Sequence, residues 1–188
     1  MEDRPPAEAQ LVARARDGDR EAFGALVAAH QEIAFRVAYL VLRDAGEAEE
    51  AAQEGFVKAY LALARFREGH PFRPWLLQIV GNAARNRRRS SGRHARLELR
   101  AAAERHQSSA VSAEASVLAA ERSRTLMRAI DALPADDRLV IGARYFLELS
   151  EAETAAIAGV PRGTVKSRLS RARARLARAL EREDWAGD

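Results

Sequence analysis

The stretch LSEAETAAIAGVPRGTVKSRLSRARARLAR, residues 149–178, predicts two helices separated by a tight turn. Ser150 and Glu153 have the spacing of a capping box, so we expect the first helix to begin directly after Ser150. Pro161 cannot continue a helix but can start one, so the turn is expected at Gly159. The second helix then continues with apolar residues at helical spacing along one side.

The opposite side of this second helix carries small and basic residues. Between Arg162 and Arg178 there are seven basic residues and no Asp or Glu. A solvated surface helix is the simplest alternative, but such a helix normally alternates charges to gain ion pairs between neighbouring turns. Small and basic residues on one face let a backbone approach a polyanion closely. The pattern therefore favours a helix-turn-helix whose second helix enters the DNA major groove.

The composition of the whole chain limits the alternatives. The 188 residues suit one larger domain or two small ones, and the 47% hydrophobic and 31% charged residues are typical of a globular protein. The absence of cysteine excludes disulfides, thiolate metal sites and a catalytic thiol. No apolar run approaches the roughly 18 residues of a membrane span, and the acidic N-terminus does not resemble a signal peptide. We therefore expect a cytoplasmic protein that does not insert into membranes.

The N-terminal half is predicted to be helical as well. Asp19 can cap a long helix that reaches about Arg43, and Asp44 can cap the next one, with Glu47 at the capping-box position. That third helix has an acidic face, because no basic residue occurs between Asp44 and Glu54. Such a face is either simply solvated or a docking surface for a basic protein partner.

A further helix is predicted after a short loop that ends near Phe72. Phe72 and Trp75 begin an apolar stripe with helical spacing, so both are expected to pack in the core. The polar side carries amide and Arg side chains, among them Gln78, Asn82 and Arg85, and this mixture can pair with base edges. Aromatic rings of the loop can also stack on an unpaired base, although core packing is the stronger interpretation for Phe72.

The regular pattern is lost after Ser90. We interpret the following stretch as a linker, with transient helix around residues 97–104. Apolar periodicity resumes near Val117, and two more helices together with the helix-turn-helix form a second unit. We therefore expect an all-α protein of two small helical domains joined by a flexible linker, the C-terminal one a helix-turn-helix (winged-helix-like) domain. The predicted divisions are residues 8–89, 90–115 and 116–182.

Both halves resemble one bacterial family. The turn and second helix contain GTVKSR at 163–168 and RAR at 171–173, which look like the C-terminal domain of RNA polymerase sigma factors, specifically the small extracytoplasmic-function (ECF) group. The acidic helix at 44–59 resembles the segment with which this family docks on the polymerase. The stretch FRPWL at 72–76 resembles the start of its promoter-melting segment. The resemblance covers nearly everything outside the linker and the tails.

The resemblance implies a sigma factor that binds core RNA polymerase, recognises and melts promoter DNA, and directs transcription initiation. The expected polymerase contacts are the clamp coiled coil of the largest subunit and the flap. An inhibitory anti-sigma factor is a further family-typical partner. The chain is expected not to be an enzyme and to need no cofactor or metal, and to associate with the nucleoid when it is part of the holoenzyme.

Three sets of site residues follow from the resemblance, position by position. The polymerase-binding set is Asp44, Glu47, Glu50, Gln53 and Glu54. The set expected on the minus-ten element is Arg67, His70, Phe72, Arg73, Gln78, Asn82, Arg85, Asn86 and Arg89. The set expected on the minus-thirty-five element is Arg162, Thr164, Lys166, Ser167, Arg168 and Arg171. In the last set Lys166, Ser167 and Arg171 are expected nearest the base edges.

Three positions depart from the family pattern. Thr154 stands where the family usually has an aliphatic residue, so looser packing of the first helix of the motif is expected. Gly81 stands where many members have Arg, which removes one phosphate contact. The His70-Pro71 pair makes the loop before the melting segment stiffer than usual.

The main alternative is a dimeric helix-turn-helix transcriptional regulator, with residues 1–100 as a dimerisation or sensor domain. It requires neither the acidic helix nor the amide and Arg face around Asn82. A regulator should bind a palindromic duplex alone, whereas a sigma factor should need core polymerase and show no two-fold symmetry of half-sites. A nuclease ranks lower, because no constellation of carboxylates suited to a metal is evident in the sequence.

Overall fold

The computed structural model describes residues 6–67, 69–98 and 117–185, and these residues contain helices and no strands. The expected all-α class is confirmed. A 3₁₀ turn at Leu63–Arg65 and a π-helical turn at Gly142–Phe146 interrupt the α-helices. The α-helices are α1 (Pro6–Arg16), α2 (Arg20–Leu42), α3 (Ala45–Ala62), α4 (Phe72–Glu98), α5 (Val117–Asp131), α6 (Ala135–Ile141), α7 (Glu151–Ala158) and α8 (Arg162–Trp185).

The predicted helix starts are confirmed by the hydrogen bonds that cap them. The Asp19 carboxylate accepts from the backbone N–H of Ala22 at 3.0 Å, and Asp44 accepts from the N–H of Glu47 at 2.8 Å. At α7 the Ser150 hydroxyl accepts from the Glu153 N–H at 3.2 Å, while the Glu153 carboxylate accepts from the Ser150 N–H at 2.9 Å. The capping box is therefore complete.

Helices α2, α3 and α4 pack around one apolar core, with α1 against α2. Helices α3 and α4 pack closely at Gly55, where a Cβ atom would lie 2.6 Å from Cγ2 of Val80. The buried His30 ring nitrogen is 2.8 Å from a carboxylate oxygen of Glu8, and this contact ties α1 to α2. The burial of His30 and its contact with Glu8 indicate a structural role.

Among the described residues, α2 alone is long and apolar enough by length and composition to cross a membrane. It is also a core helix, because several of its side chains are buried inside the protein. The buried residues are Ala22, Leu26, His30, Ala34, Val37, Ala38 and Val41.

The C-terminal half is built from α5 to α8 around a small core of its own, which includes Ile130, Val140 and Ala172. Gly159 ends α7 in the left-handed conformation with φ +66°, which a residue without a side chain adopts at no steric cost. The chain turns there and enters α8, as predicted for a helix-turn-helix.

The two halves also pack against each other. Side chains of the C-terminal half, including Leu139, Leu149 and Ile157, belong to the same apolar cluster as the core of α2, α3 and α4. Helix α7 lies along α4, and we call this packing the closed arrangement. Helix α4 continues to Glu98, past Ser90, where the linker is predicted to begin. Most of the linker and of the transient helix expected there lies outside the described residues.

Candidate nucleic-acid and polymerase interfaces

Helix α8 presents a polar face to solvent. Lys166, Ser167 and Arg171 are exposed, whereas Val165 and Ala172 on the other side are fully buried. The hydroxyl of Ser167 donates to a carbonyl within the same helix, and so does Nε of Arg171. The three residues expected nearest base edges are therefore together on one accessible face.

The remaining residues of the minus-thirty-five set surround this face. Arg162 is exposed and Thr164 is half-buried at the start of α8. Arg168 is engaged, because its Nη1 lies 3.2 Å from a carboxylate oxygen of Asp136. Asp137, next in the chain, binds Arg175 and fixes α8 against α6.

Thr154 is fully buried, although looser packing is expected at this position. Its hydroxyl donates to the backbone carbonyl of Ser150 at 2.9 Å, so the polar group is satisfied within α7. A buried hydroxyl with a partner costs little, and α7 packs normally around it.

Helix α4 carries the predicted minus-ten face, in which amides and arginines differ in exposure. Gln78 and Asn82 are exposed, whereas Arg85 is half-buried and donates from Nη2 to the Asn82 side chain. Burial lowers the pKa of Arg85 from its ordinary value, and the nearby charges of Arg89 and Arg88 lower it further. The structure brings Gln78, Asn82 and Arg85 together on this face, but the guanidinium of Arg85 is partly buried.

The loop before α4 forms a shallow pocket with the first turns of that helix. Two predicted loop residues, Arg67 and His70, line it together with Gln78 of α4. The other lining residues are Arg65, Phe66, Pro71, Pro74, Trp75 and Ala156. Ala156 belongs to α7, so the C-terminal half forms part of the wall of this pocket.

The aromatic rings near this pocket are mostly in the core. Phe72 is 1% exposed and packs edge-on against Phe66, so its ring offers no surface for a base in this arrangement. Trp75 is half-buried and lines the pocket. The stronger interpretation of Phe72 as a core residue is therefore supported, and its contact with DNA stays a prediction.

The three remaining members of the minus-ten set are placed differently from one another. Arg73 forms an ion pair with Glu153 of α7, with 3.1 Å between Nε and Oε1. Asn86 lines a groove between α3 and α4 beside Glu47 and Glu54. Arg89 is exposed on the polar side of α4.

The acidic face of α3 is not free of basic partners, although the sequence from Asp44 to Glu54 contains none. Arg87 of α4 reaches across and forms ion pairs with both Glu47 and Glu50, and its Nη1 is 3.7 Å from Glu54. These carboxylates raise the pKa of Arg87 above its ordinary value, mainly through the hydrogen bond to Glu47. Three of the five predicted polymerase-binding residues therefore gather around one guanidinium.

The other two predicted polymerase-binding residues are placed differently. The Asp44 carboxylate is used as the cap of α3. Gln53 lines a separate groove between α2 and α3, together with Phe35, Glu49 and Phe56. The structure thus divides the predicted docking set into a carboxylate cluster, a cap and a groove residue.

Two exposed apolar surfaces were missed by the sequence analysis. Val57 and Leu61 of α3 are 59% and 76% exposed. Tyr145 and Phe146 of the π-helical turn are also exposed, and they line a groove together with Leu126, Ile130, Ile141, Arg173, Leu176, Ala177 and Leu180. In the sequence, both surfaces could have been found from apolar side chains that lie outside the apolar stripe with which each helix faces the core.

Two family models match the chain, one in each half. Sigma-70 region 2 matches residues 26–94, and Sigma-70, region 4 matches residues 123–176. The first range includes the candidate docking face of α3 and the polar face of α4. The second includes the helix-turn-helix.

Curated relatives are similar along nearly the whole chain. The RNA polymerase sigma-H factor of Pseudomonas aeruginosa is 35% identical over 190 residues, which cover 92% of this chain and 93% of the relative. The ECF RNA polymerase sigma-E factor of Escherichia coli is 38% identical over 172 residues, covering 87% of this chain and 88% of the relative.

Solved structures share the fold. One is the sigma factor RpoE in complex with the anti-sigma factor NepR from Bartonella quintana, with a TM-score of 0.66 at 26% identity over 85% of this chain and 96% of the other. Another is CnrH in complex with the cytosolic domain of CnrY, with a TM-score of 0.64 at 28% identity over 93% of this chain and 97% of the other.

Proposed function

The chain belongs to the extracytoplasmic-function group of RNA polymerase sigma factors, and we propose that it divides its work among three separate surfaces. As a sigma factor it binds core RNA polymerase and directs promoter-specific transcription initiation. Sigma factors are non-enzymatic regulators that act in the cytoplasm. The dimeric regulator is not favoured, because the similarity to sigma factors extends over both halves.

The first surface is the polar face of α8, which reads the minus-thirty-five element in the major groove. Lys166, Ser167 and Arg171 contact base edges, an assignment that rests on the family resemblance and is supported by the exposure of all three. Arg162, Thr164 and Arg168 surround them and contact phosphates. The accessible basic face of α8, behind a capped α7 and a tight turn, is the observation that carries this assignment.

The second surface is the polar face of α4 and the pocket at its start, which recognise the minus-ten element as a single strand. Gln78 and Asn82 read bases, since both amides are exposed. The pocket lined by Arg67, His70 and Trp75 receives an unpaired base. Unpairing bases costs a few kcal/mol per step, and this capture offsets the cost.

The third surface is the carboxylate cluster of α3, Glu47, Glu50 and Glu54, which docks on the clamp coiled coil of the polymerase. Arg87 neutralises part of the charge of the three carboxylates, and the cluster of three carboxylates with one guanidinium keeps a net negative charge. A basic partner can pair with the exposed carboxylate oxygens that Arg87 leaves available. The groove residue Gln53 extends the contact toward α2.

Two further partners follow from family membership. The polymerase flap binds the exposed apolar groove between α5, the π-helical turn and α8, whose rim includes Tyr145 and Phe146. An anti-sigma factor inhibits the chain, a proposal supported by the relatives of known structure that were solved with such partners. In the holoenzyme the chain is associated with the nucleoid.

The experiment is in vitro transcription with purified core polymerase, this chain and a library of randomised templates, followed by sequencing of the templates that yield RNA. With the unaltered chain we expect two enriched elements and no two-fold symmetry. Replacing Asn82→Ala should relax the downstream element only, and replacing Ser167→Ala should relax the upstream element only. Each loss should correspond to about 1–3 kcal/mol of discrimination at one position.

The matched control is Arg36→Ala, which removes a cation from the exposed side of α2, where it pairs with Glu32. Its enriched elements should equal those of the unaltered chain. Binding of core polymerase is measured separately with Glu50→Gln combined with Glu54→Gln, which should weaken it, whereas Glu32→Gln should not. Transcription that does not depend on this chain, or specific binding of a palindromic duplex by the chain in the absence of core polymerase, would overturn the proposed function.

A further inference from the structure

Arg87 projects from α4 toward α3, on the side of the helix opposite Gln78. Together with Ala83, Asn86 and Ser90 it lines the groove between α3 and α4. These four positions have the spacing of one helical stripe, and this stripe faces α3. Nine residues make about two and a half helical turns, so Arg87 and Gln78 project from opposite sides of α4. Arg87 therefore belongs to the contact between α3 and α4.

The guanidinium of Arg87 pairs with carboxylates that are spaced along α3. It forms ion pairs with Glu47 and Glu50, and its Nη1 lies 3.7 Å from Oε2 of Glu54. Lys58 pairs with Glu54 from one turn further along the same helix. Three carboxylates and two cations leave this cluster with a net charge of −1, and without Arg87 the net charge would be −2.

These ion pairs contribute little to the stability of the fold. The side chains of Glu47, Glu50 and Glu54 are 41%, 63% and 40% exposed, and that of Arg87 is 27% exposed. Ion pairs between exposed side chains gain little, because water screens the attraction and two long side chains lose conformational freedom. The larger effect of Arg87 is therefore on the charge that α3 presents to a partner.

A basic partner of α3 meets Arg87 at the same carboxylate oxygens. Glu47 accepts a hydrogen bond from Nε of Arg87, and Glu50 accepts one from Nη2. An incoming cation therefore either displaces Arg87 from these oxygens or uses the remaining lone pairs beside a positive charge. Both routes make the complex weaker than it would be with the same carboxylates and no Arg87.

We propose that Arg87 is an intramolecular competitor of the basic polymerase surface, and that its ion pairs with Glu47 and Glu50 lower the affinity of the chain for core polymerase. The inference rests on the proposed docking of α3 on the polymerase. It goes beyond that docking, because it assigns control of the affinity to a residue of α4. A guanidinium that only held the carboxylates in their docking orientation would have the opposite effect when removed.

The test is the binding of core polymerase by Arg87→Met, which removes the charge but keeps an unbranched side chain in the groove. The full chain carries a fluorescent label at its N-terminus and is titrated with purified core at several salt concentrations. Fluorescence anisotropy gives the affinity. At low salt we expect Arg87→Met to bind about three- to tenfold more tightly than the unaltered chain, and the difference should shrink as salt screens the surface charges.

The rate of association gives a second readout, which a merely structural role of Arg87 would not move. Association becomes faster when the charges of two surfaces become more complementary, and this effect falls with ionic strength. Arg87→Met should therefore associate with core faster than the unaltered chain, with a steeper dependence of the rate on salt. Stopped-flow fluorescence measures both rates.

The matched control is Arg14→Met, which removes a cation of α1 that pairs with Asp19 at 2.7 Å. It changes the net charge of the chain by the same amount, and it should bind core with the affinity of the unaltered chain. Arg87→Lys keeps the charge but replaces the fork that spans two carboxylates by a compact ammonium. It should bind core more tightly than the unaltered chain and less tightly than Arg87→Met, and it tests the inference on its own if Arg87→Met does not fold.

A double-mutant cycle measures whether Arg87 acts through its carboxylate partners. In the background of Glu47→Gln with Glu50→Gln, the competitor has lost its two main partners. Adding Arg87→Met to this background should therefore strengthen core binding less than it does in the unaltered chain.

Three results would overturn the inference. The first is binding of Arg87→Met that is equal to or weaker than that of the unaltered chain. The second is an equal gain in Arg14→Met, and the third is an equal gain with and without the carboxylates of Glu47 and Glu50. Failure of the proposed function looks different, because Glu47→Gln with Glu50→Gln would then leave the affinity for core polymerase unchanged.

Discussion

Helices α4 and α8 carry the same kinds of residues but differ in what covers them. On α8, Lys166 and Arg171 are exposed and have no ion pair within the described part of the chain. On α4, Arg85 is half-buried beneath the C-terminal half and Arg88 faces Asp136. The comparison shows that exposure, and not residue type, separates the two helices for which DNA contacts are proposed. In the closed arrangement Lys166 and Arg171 of α8 are therefore accessible, whereas Arg85 and Arg88 of α4 are partly covered.

The largest expected effect comes from removing the side chain on which α7 packs. Ile157 is fully buried in the cluster shared by the two halves, so Ile157→Ala should lower the free energy of unfolding by about 2–5 kcal/mol. The measurement is urea denaturation followed by circular dichroism. Val57→Ala is the control, because Val57 is exposed and its truncation should change stability by less than about 0.5 kcal/mol. Similar losses for both variants would remove Ile157 from the shared core.

An intermediate effect should separate α8 from α4 directly. Binding of the holoenzyme to duplex DNA that carries only the selected upstream element should weaken by about 1–3 kcal/mol in Arg171→Ala, because an exposed base contact is lost. Arg85→Ala should leave this binding unchanged, since Arg85 belongs to α4 and its guanidinium is half-buried. Fluorescence anisotropy measures both. An equal loss in the two variants would show that α4 contributes to the upstream element as much as α8 does.

The smallest expected effect concerns Glu153, which both caps α7 and pairs with Arg73. Glu153→Ala removes both interactions and should cost about 1 kcal/mol, mainly from the cap. Glu153→Gln keeps the hydrogen bond to the Ser150 N–H but loses the charge, so it should cost only about 0–1 kcal/mol. Thermal unfolding at low and high salt compares them. A large, salt-independent loss in Glu153→Gln would contradict this division.

Local motifs explain what the sequence could predict. The caps at Asp19, Asp44 and Ser150 each involve residues three apart, so residue type and spacing are sufficient to locate the helix starts. The exposed face of α8 follows from helical periodicity in the same way. The division of the helix-turn-helix at Gly159 likewise depends on a single backbone conformation that glycine favours.

Contacts between residues far apart in the chain explain what the sequence could not predict. The neutralisation of the α3 carboxylates depends on Arg87 of α4, and the pattern of α3 alone gives no sign of it. The approach of Ile157 to Gly81 joins the two halves, and nothing in either segment indicates the other. For the same reason the sequence indicates only a lost phosphate contact at Gly81, whereas the fold shows its close packing against Ile157.

The close approach of α3 and α4 at Gly55 has a mechanical consequence. Because no side chain separates the two helices there, α3 packs directly on the backbone and side chain of Val80, and any larger residue at Gly55 would push α4 away. Under the proposed docking of α3 on the polymerase, the position of α4 would therefore be passed on through this one helix crossing. A substitution at Gly55 would then be expected to displace the proposed minus-ten face without touching either nucleic acid or polymerase.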